Sequence, residues 1–240
     1  MNKSPAVSRS TSTGRVGKKA AQFPGIILAL SNVKPEVEAE FNDWYEREAI
    51  PARLALPGFM AARRYHAVAG NFSHMAVYEC ESMDAAFSDA YRDHMNSPSE
   101  WRMRLRKNFR NVQWSVCQET WSTGSGMGGG AIIVQCSPIK RREAESRRYL
   151  AEQLAPRILQ QGRIVRMALW EADAKLTAAA DVTSRENLEN YTNWVLFMET
   201  ANLIGTPPSL HAELLASDSS TTGLLVGSIM GYKLLSAHHR

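Results

Sequence analysis

The chain has 240 residues, room for one large domain or two small ones, and its 44% hydrophobic content is ample for a core. Its net charge of +4 is gathered at the start, where residues 1–22 hold Lys3, Arg9, Arg15, Lys18 and Lys19 and no acid. The remainder is close to neutral, so a nucleic-acid-binding surface is not expected; the one internal basic cluster is Arg102, Arg104, Arg106, Lys107 and Arg110.

No apolar run reaches the roughly 18–20 residues of a membrane span. Cys80, Cys117 and Cys136 are odd in number and lack metal-ligand spacing, which fits a reducing, cytoplasmic setting. Residues 1–22 read as a disordered basic arm, with an organellar transit peptide as the lesser reading.

Phe23 to Ser31 is a short apolar run bounded by Pro24-Gly25 and by Asn32 and Pro35, the pattern of a buried strand. From Glu36 to Leu54, Val37, Phe41, Trp44 and Tyr45 recur at helical spacing, and Pro51 should end or kink the helix. Pro57-Gly58 turns the chain into two strands, Phe59 to Val68 and His74 to Cys80, joined at Ala69-Gly70-Asn71. Helices are expected over Met83 to Met95 and Glu100 to Phe109, and a fourth strand over Val112 to Trp121.

Gly124 to Gly130, with five glycines in seven residues, reads as a flexible linker. It lacks the Lys-Ser/Thr of a phosphate loop. Beyond it come a strand (Ala131 to Cys136), a helix (Arg141 to Gln161), a strand (Arg163 to Glu171) and a polar excursion (Leu176 to Asn190). A strand (Tyr191 to Thr200), a short helix (Pro208 to Ala216) and a last strand (Gly223 to Leu235, bulged at Gly227 or Gly231) complete the chain.

Residues 23–121 and 131–236 therefore share one element order, β-α-β-β-α-β, with 122–130 between them and 237–240 as a tail. The fold expected is α+β: two ferredoxin-like units whose antiparallel sheets pack as a pseudo-dimeric α/β barrel, covering each other's open faces around a mostly apolar cavity. Either a monomer with an internal pseudo-dimer or a homodimer satisfies this.

Histidine, tyrosine and arginine are the candidate working groups. His66 and His74 flank the hairpin turn and can meet as an acid/base pair, with Tyr65 and Tyr78 beside them as proton carriers. Arg63 and Arg64 point to opposite faces of one strand, so one of them, Arg64, is a candidate anion holder. Trp44 and Tyr45 are candidate cleft walls or core anchors. Glu46 is a candidate base or a solvated helix acid. His94 and the Arg102 cluster read as helix surface, His211 as helical, and His238 and His239 as a frayed end. No His/Cys/Asp/Glu set shows zinc or non-haem iron spacing, and no Gly-x-Ser-x-Gly elbow occurs.

The run Trp44-Tyr45-x-x-x-x-Ile50-Pro51-x-x-Leu54-x-x-Pro57-Gly58-Phe59, followed by a strand with Arg63, Arg64 and Tyr65, resembles the dimeric α/β-barrel superfamily, and EthD-like proteins most. The resemblance implies a cofactor-independent enzyme of isomerase, cyclase, lyase or monooxygenase type, acting on a small apolar aromatic or polyketide-like molecule. Many relatives carry a histidine just before the Ile/Leu-Pro pair, where this chain has Ala49. Alanine cannot move a proton, so the alternative is a non-catalytic ligand- or partner-binding relative. A weaker third reading is haem binding, for which no single histidine stands out as axial ligand.

Overall fold

The computed structural model describes residues 23–180, 193–201, 203, 210, 213 and 219–240. The arm at 1–22, His211, most of the expected helix at 208–216 and the later part of the polar excursion lie outside the described residues.

Eight strands carry the fold: β1 (Gly25–Val33), β2 (Phe59–Ala69), β3 (His74–Cys80), β4 (Phe109–Gly124), β5 (Gly130–Pro138), β6 (Ile164–Ala172), β7 (Trp194–Thr200) and β8 (Leu224–His239). Every pairing is antiparallel, and the ring closes in the order β1-β3-β2-β8-β5-β7-β6-β4. The first half reads β4-β1-β3-β2 and the second β8-β5-β7-β6, which is one ferredoxin-like order used twice. Two seams, β2–β8 and β4–β6, join the halves.

Helices cover the outside. In the first half α1 (Glu38–Trp44) runs through a π-helical turn (Tyr45–Ala49) into α2 (Ile50–Leu54). Pro51 has no N–H to give, and the wider turn before it absorbs the break without ending the helix. The second half repeats the device, with α6 (Glu143–Arg148), a π-turn (Tyr149–Leu154) and α7 (Ala155–Gln160) holding Pro156. Gly58, at φ +78, turns the first helix into β2, and a Cβ there would meet Ala85 at 2.5 Å.

The helix expected over 83–95 is two pieces, α3 (Met83–Ala86) and α4 (Asp89–Asn96), followed by α5 (Glu100–Arg106). Ser82, Ser88 and Ser99 start them, each hydroxyl accepting a backbone N–H three residues on. The excursion after β6 opens with α8 (Ala174–Ala180). β8 carries an extra residue between Val226 and Ile229, around the expected Gly227, whereas beside Gly231 the extra residue is Val68 of β2 and the second bulge of β8 falls at Leu235. It also continues to His239, past the expected tail, because β2 pairs with it as far as Ala61.

The glycine run between β4 and β5 is held in place. Gly128 N–H donates to Glu199 at 3.2 Å, and a Cβ there would lie 2.0 Å from the Thr200 carbonyl oxygen. Strand alternation sends Ile26, Leu28 and Leu30 of β1 into the barrel and Ile27 and Ala29 toward the helices.

The barrel interior is solid where an apolar cavity was expected. Tyr65, Met75, Val77, Trp170, Phe197, Met230 and Tyr232 fill it, and the Trp170 and Phe197 rings stack at 4.2 Å. Rings of this volume from both sheets leave no ligand-sized space between them. Each such buried side chain contributes about 1.5–3 kcal/mol of transfer free energy.

Candidate functional site

The titratable groups gather in the layer between the first half's sheet and its helices. β2 and β3 present Ala62, Arg64, His66 and His74, Ala76, Tyr78 to that layer, while the residues between them enter the barrel. Arg64, 2% exposed, donates to Asn42 Oδ1 at 2.8 Å and faces Glu46 Oε1 at 3.5 Å. Its guanidinium lies 4.2 Å from the Tyr45 ring centroid and 5.4 Å from that of Phe41. Such stacking on aromatic rings lets a charged group stay buried. Glu46 also accepts from Ser236 Oγ and lies within 2.8 Å of His238 Nε2, so it ties this helix to β8 of the other half.

His66 and His74 do meet, with ring centroids 5.2 Å apart. Glu38 Oε1 stands 3.2 Å from His66 Nε2 and 3.3 Å from His74 Nε2. His74 is 2% exposed, and neither ring nitrogen has a hydrogen-bond partner. Burial, Arg64 and His66 press its pKa down to about 4. Among the described residues, Glu38, His66 and His74 are also a set able to hold a metal ion, although their separation in the chain shows no ligand spacing.

A second polar group lies further along β3. Tyr78 is four residues from His74 on the same face, about 13 Å at strand rise. Arg53, 4% exposed, projects from α2 over the Tyr78 ring at 5.0 Å and donates to the Ala49 carbonyl at 3.0 Å. Tyr78 and Tyr91 both pack on Phe59. Arg53 Nε, Tyr78 Oη and Tyr91 Oη are buried without a well-formed hydrogen bond, with the Tyr91 hydroxyl close to the Arg53 guanidinium. Burial raises the pKa of both phenols, so they are neutral donors. Arg102, read from sequence as helix surface, turns inward to the Met95 carbonyl, whereas Arg104 goes out to Glu40. Burial, Arg53 and Arg102 lower the pKa of His94 to about 4.

Of the residues chosen from sequence, Trp44, Tyr45, Glu46, Arg64, His66, His74 and Tyr78 share this layer. Tyr65 does not: it is one residue from Arg64 on β2, points into the barrel and packs among the interior side chains. Trp44 donates its indole N–H to Glu48 at 2.8 Å and, like Tyr45, is a core anchor. Sequence reading missed Glu38, Arg53, Tyr91 and the inward turn of Arg102. Arg53 could have been found, since it lies one helical turn beyond the buried Ala49.

The interior holds its own ion network. Arg63 pairs with Glu79 and Glu199, and Arg166 chelates Glu119 at 2.8 Å, which also accepts from Trp170 Nε1. Glu199 is fully buried, and burial lifts its pKa above the ordinary carboxylate value against the pull of Arg63.

A recess of ligand size lies elsewhere. About 660 Å³ opens at one end of the barrel, lined by Asn71, Gln113, Gln135, Ser137, Asn193 and Ser228 among others. Cys136 alone among its lining can titrate, and burial pushes that thiol up to about 12. Acid/base groups and open space therefore occupy different places. Among the described residues no helix is long and apolar enough to cross a membrane.

No family model and no curated protein sequence matches the chain. Solved structures do resemble it. An anthrone oxidase-like protein superposes with a TM-score of 0.59 at 8% identity, over 91% of this chain and 93% of its own. A candidate monooxygenase from Fusobacterium nucleatum subsp. nucleatum gives 0.55 at 8% identity, over 92% and 96%. A mutant chlorite dismutase from Candidatus Nitrospira defluvii gives 0.51 at 10% identity, over 89% and 91%. At such identities the likeness speaks for the fold alone: an α+β fold with a closed eight-stranded antiparallel barrel, formed within one polypeptide.

Proposed function

We propose that the chain is a small-molecule enzyme of monooxygenase type that ionises an apolar phenol or enol of the aromatic or polyketide class, with no organic cofactor. Its site is the first half's helix–sheet layer and not a cavity between sheets; the layer is closed as it stands, so substrate enters only when the helices over Arg53, Tyr78 and Tyr91 part. The observation that carries this reading is the group of Arg53 Nε, Tyr78 Oη and Tyr91 Oη, buried without well-formed hydrogen bonds beneath aromatic side chains. Buried polar atoms are satisfied in nearly all proteins, by protein, water or ligand. A phenolate or enolate oxygen would meet one guanidinium and two phenol donors, an arrangement that stabilises developing negative charge in a dry site. Such a carbanion-like anion is the species that reacts with dioxygen directly. His94, neutral near pH 7, faces Arg53 and serves as proton acceptor in place of the histidine that Ala49 replaces. The EthD-like run from Trp44 to Phe59 and the names of the two most similar barrels above support the same reading.

The test is to incubate the chain with an anthrone in air and follow quinone absorbance. Wild type turns over, and Tyr78→Phe and Arg53→Met each lower kcat by about 10²–10³-fold, the usual effect of losing an oxyanion donor. Failure of wild type to bind or oxidise the anthrone overturns the assignment. Binding without turnover moves the chain to the second reading, a non-catalytic carrier. That reading has its own support in the barrel-end recess, whose neutral amides can hold an uncharged ligand but carry out no proton transfer.

A further inference from the structure

We propose that Glu38, His66 and His74 form a binding site for one divalent transition-metal ion of the zinc class, pinning the start of α1 to the β2–β3 hairpin. This does not rest on the proposed reaction.

The geometry is that of a ligand set awaiting its ion. His66 and His74 are directly paired across β2 and β3, so both imidazoles rise from the same face of the sheet. Glu38, at the first turn of α1, reaches down between them. Its Oε1 lies 3.2 Å and 3.3 Å from the two Nε2 atoms. Ligands bound at about 2.0–2.2 Å in tetrahedral or octahedral geometry stand roughly 3.0–3.5 Å apart, so the carboxylate already sits at ligand spacing from each imidazole, and the two imidazole nitrogens, within 4.8 Å of one another, need only close on the ion.

A hydrogen-bond account explains less. His74 is buried with both ring nitrogens unpartnered, and one of them is aimed at the carboxylate. A buried imidazole left this way costs stability unless something else takes its lone pair. His66 supports the same picture from outside the site. Its Nδ1 lies 3.0 Å from the Ala67 carbonyl oxygen, and donating there fixes the tautomer that leaves Nε2 free to ligate. Two neutral nitrogens and one carboxylate oxygen suit a borderline ion, with water completing the shell.

Charge and access also fit. Arg64 is on the same face of β2, but Asn42, Glu46 and the Tyr45 ring engage its guanidinium. Glu38 supplies the negative charge at the site itself. His66 and Glu38 are 43% and 37% exposed at the side chain, which gives the ion an entry path, while His74 closes the inner side.

The experiment uses the full, untagged chain after chelator treatment, with metal alone as the probe. Co²⁺ titration should give ligand-field absorbance that saturates at one ion per chain, and Zn²⁺ should displace it and raise Tm. His66→Ala and Glu38→Gln, both at partly exposed positions, should each abolish the saturable absorbance and the Zn²⁺-induced rise in Tm while still melting cooperatively. His239→Ala, remote from the site, should bind as wild type does. Absence of stoichiometric Co²⁺ binding by wild type overturns the proposal, as does wild-type binding by both variants. Should His66→Ala fail to fold, Glu38→Gln alone decides by the same criterion. No arm reads turnover, so this site and the oxyanion site stand or fall separately.

Discussion

Where the first half sets His74, Arg64 and Tyr78 against its helices, the second half sets Trp194, Leu169 and Met198 at the matching registers of β7 and β6. The second layer continues with Leu150, Leu154, Ile158, Ile164, Met167 and Leu196, and its ion pair, Glu171 with an Arg147 that stacks on the Trp194 ring, stands at the layer's edge. One sheet order, one π-turn and one proline device have thus been given opposite contents. The interior shows the reverse: Glu79 and Glu199 occupy matching registers and share Arg63. The halves agree where they must fit each other and differ where each faces its own helices. A barrel closed within one chain permits this, since one layer can supply packing while the other carries polar groups.

The largest test of that division falls on the shared interior. Arg63→Met strips Glu79 and the fully buried Glu199 of the cation they share and is expected to cost about 3–5 kcal/mol. Chemical denaturation reads it, and a cost below 1 kcal/mol would show the interior pair to be replaceable. Next is the apolar layer, where Leu154→Ala should cost about 2–5 kcal/mol. It should leave anthrone turnover and Co²⁺ binding untouched, and a loss of either would erase the division of labour.

Arg53→Met tests the polar layer in the opposite direction. Removing a buried guanidinium that has no carboxylate partner among the described residues should leave stability unchanged or raise it while lowering kcat by about 10²–10³-fold. A large destabilisation would make Arg53 a structural residue. The smallest effect is in pH. The pKa of His94 in the fold, about 4, is below its ordinary value near 6.5, so the unfolded chain binds the extra proton first. Its contribution is complete above pH 6.5 and is lost as pH falls toward 4, with a magnitude of order 1–2 kcal/mol for a half-buried group. His94→Gln should flatten that part of the stability profile, and an unaltered slope would put His94 in water.

Much of this was legible in the sequence. β3 matched from His74 to Cys80, and the two β-α-β-β-α-β orders became the two halves of the ring. Alternation correctly separated Arg63 from Arg64, but period two cannot say which face is inside, so Tyr65 was grouped with the wrong neighbours. His66 and His74 were paired because a hairpin is a local structure. Glu38 was missed because its approach depends on how α1 crosses the sheet, which no spacing encodes. The apolar cavity failed on volume: the pattern marks which residues point inward, and only packing shows that Trp170, Phe197 and Tyr232 fill the space. The π-turns left a usable trace, a tyrosine six or seven residues before a proline in both halves, Tyr45 to Pro51 and Tyr149 to Pro156.

The β2–β8 seam has a consequence for synthesis. β2 is made early and β8 is the last sixteen-residue strand, so during translation β2 waits with one row of backbone donors and acceptors unmatched. Only when β8 leaves the ribosome can that row be filled and the ring close. Contacts this distant in sequence form slowly, and an open strand edge invites pairing with other chains. A chain shortened before β8 would therefore keep that exposure permanently, and its first half, complete in sequence, should be recovered as aggregate.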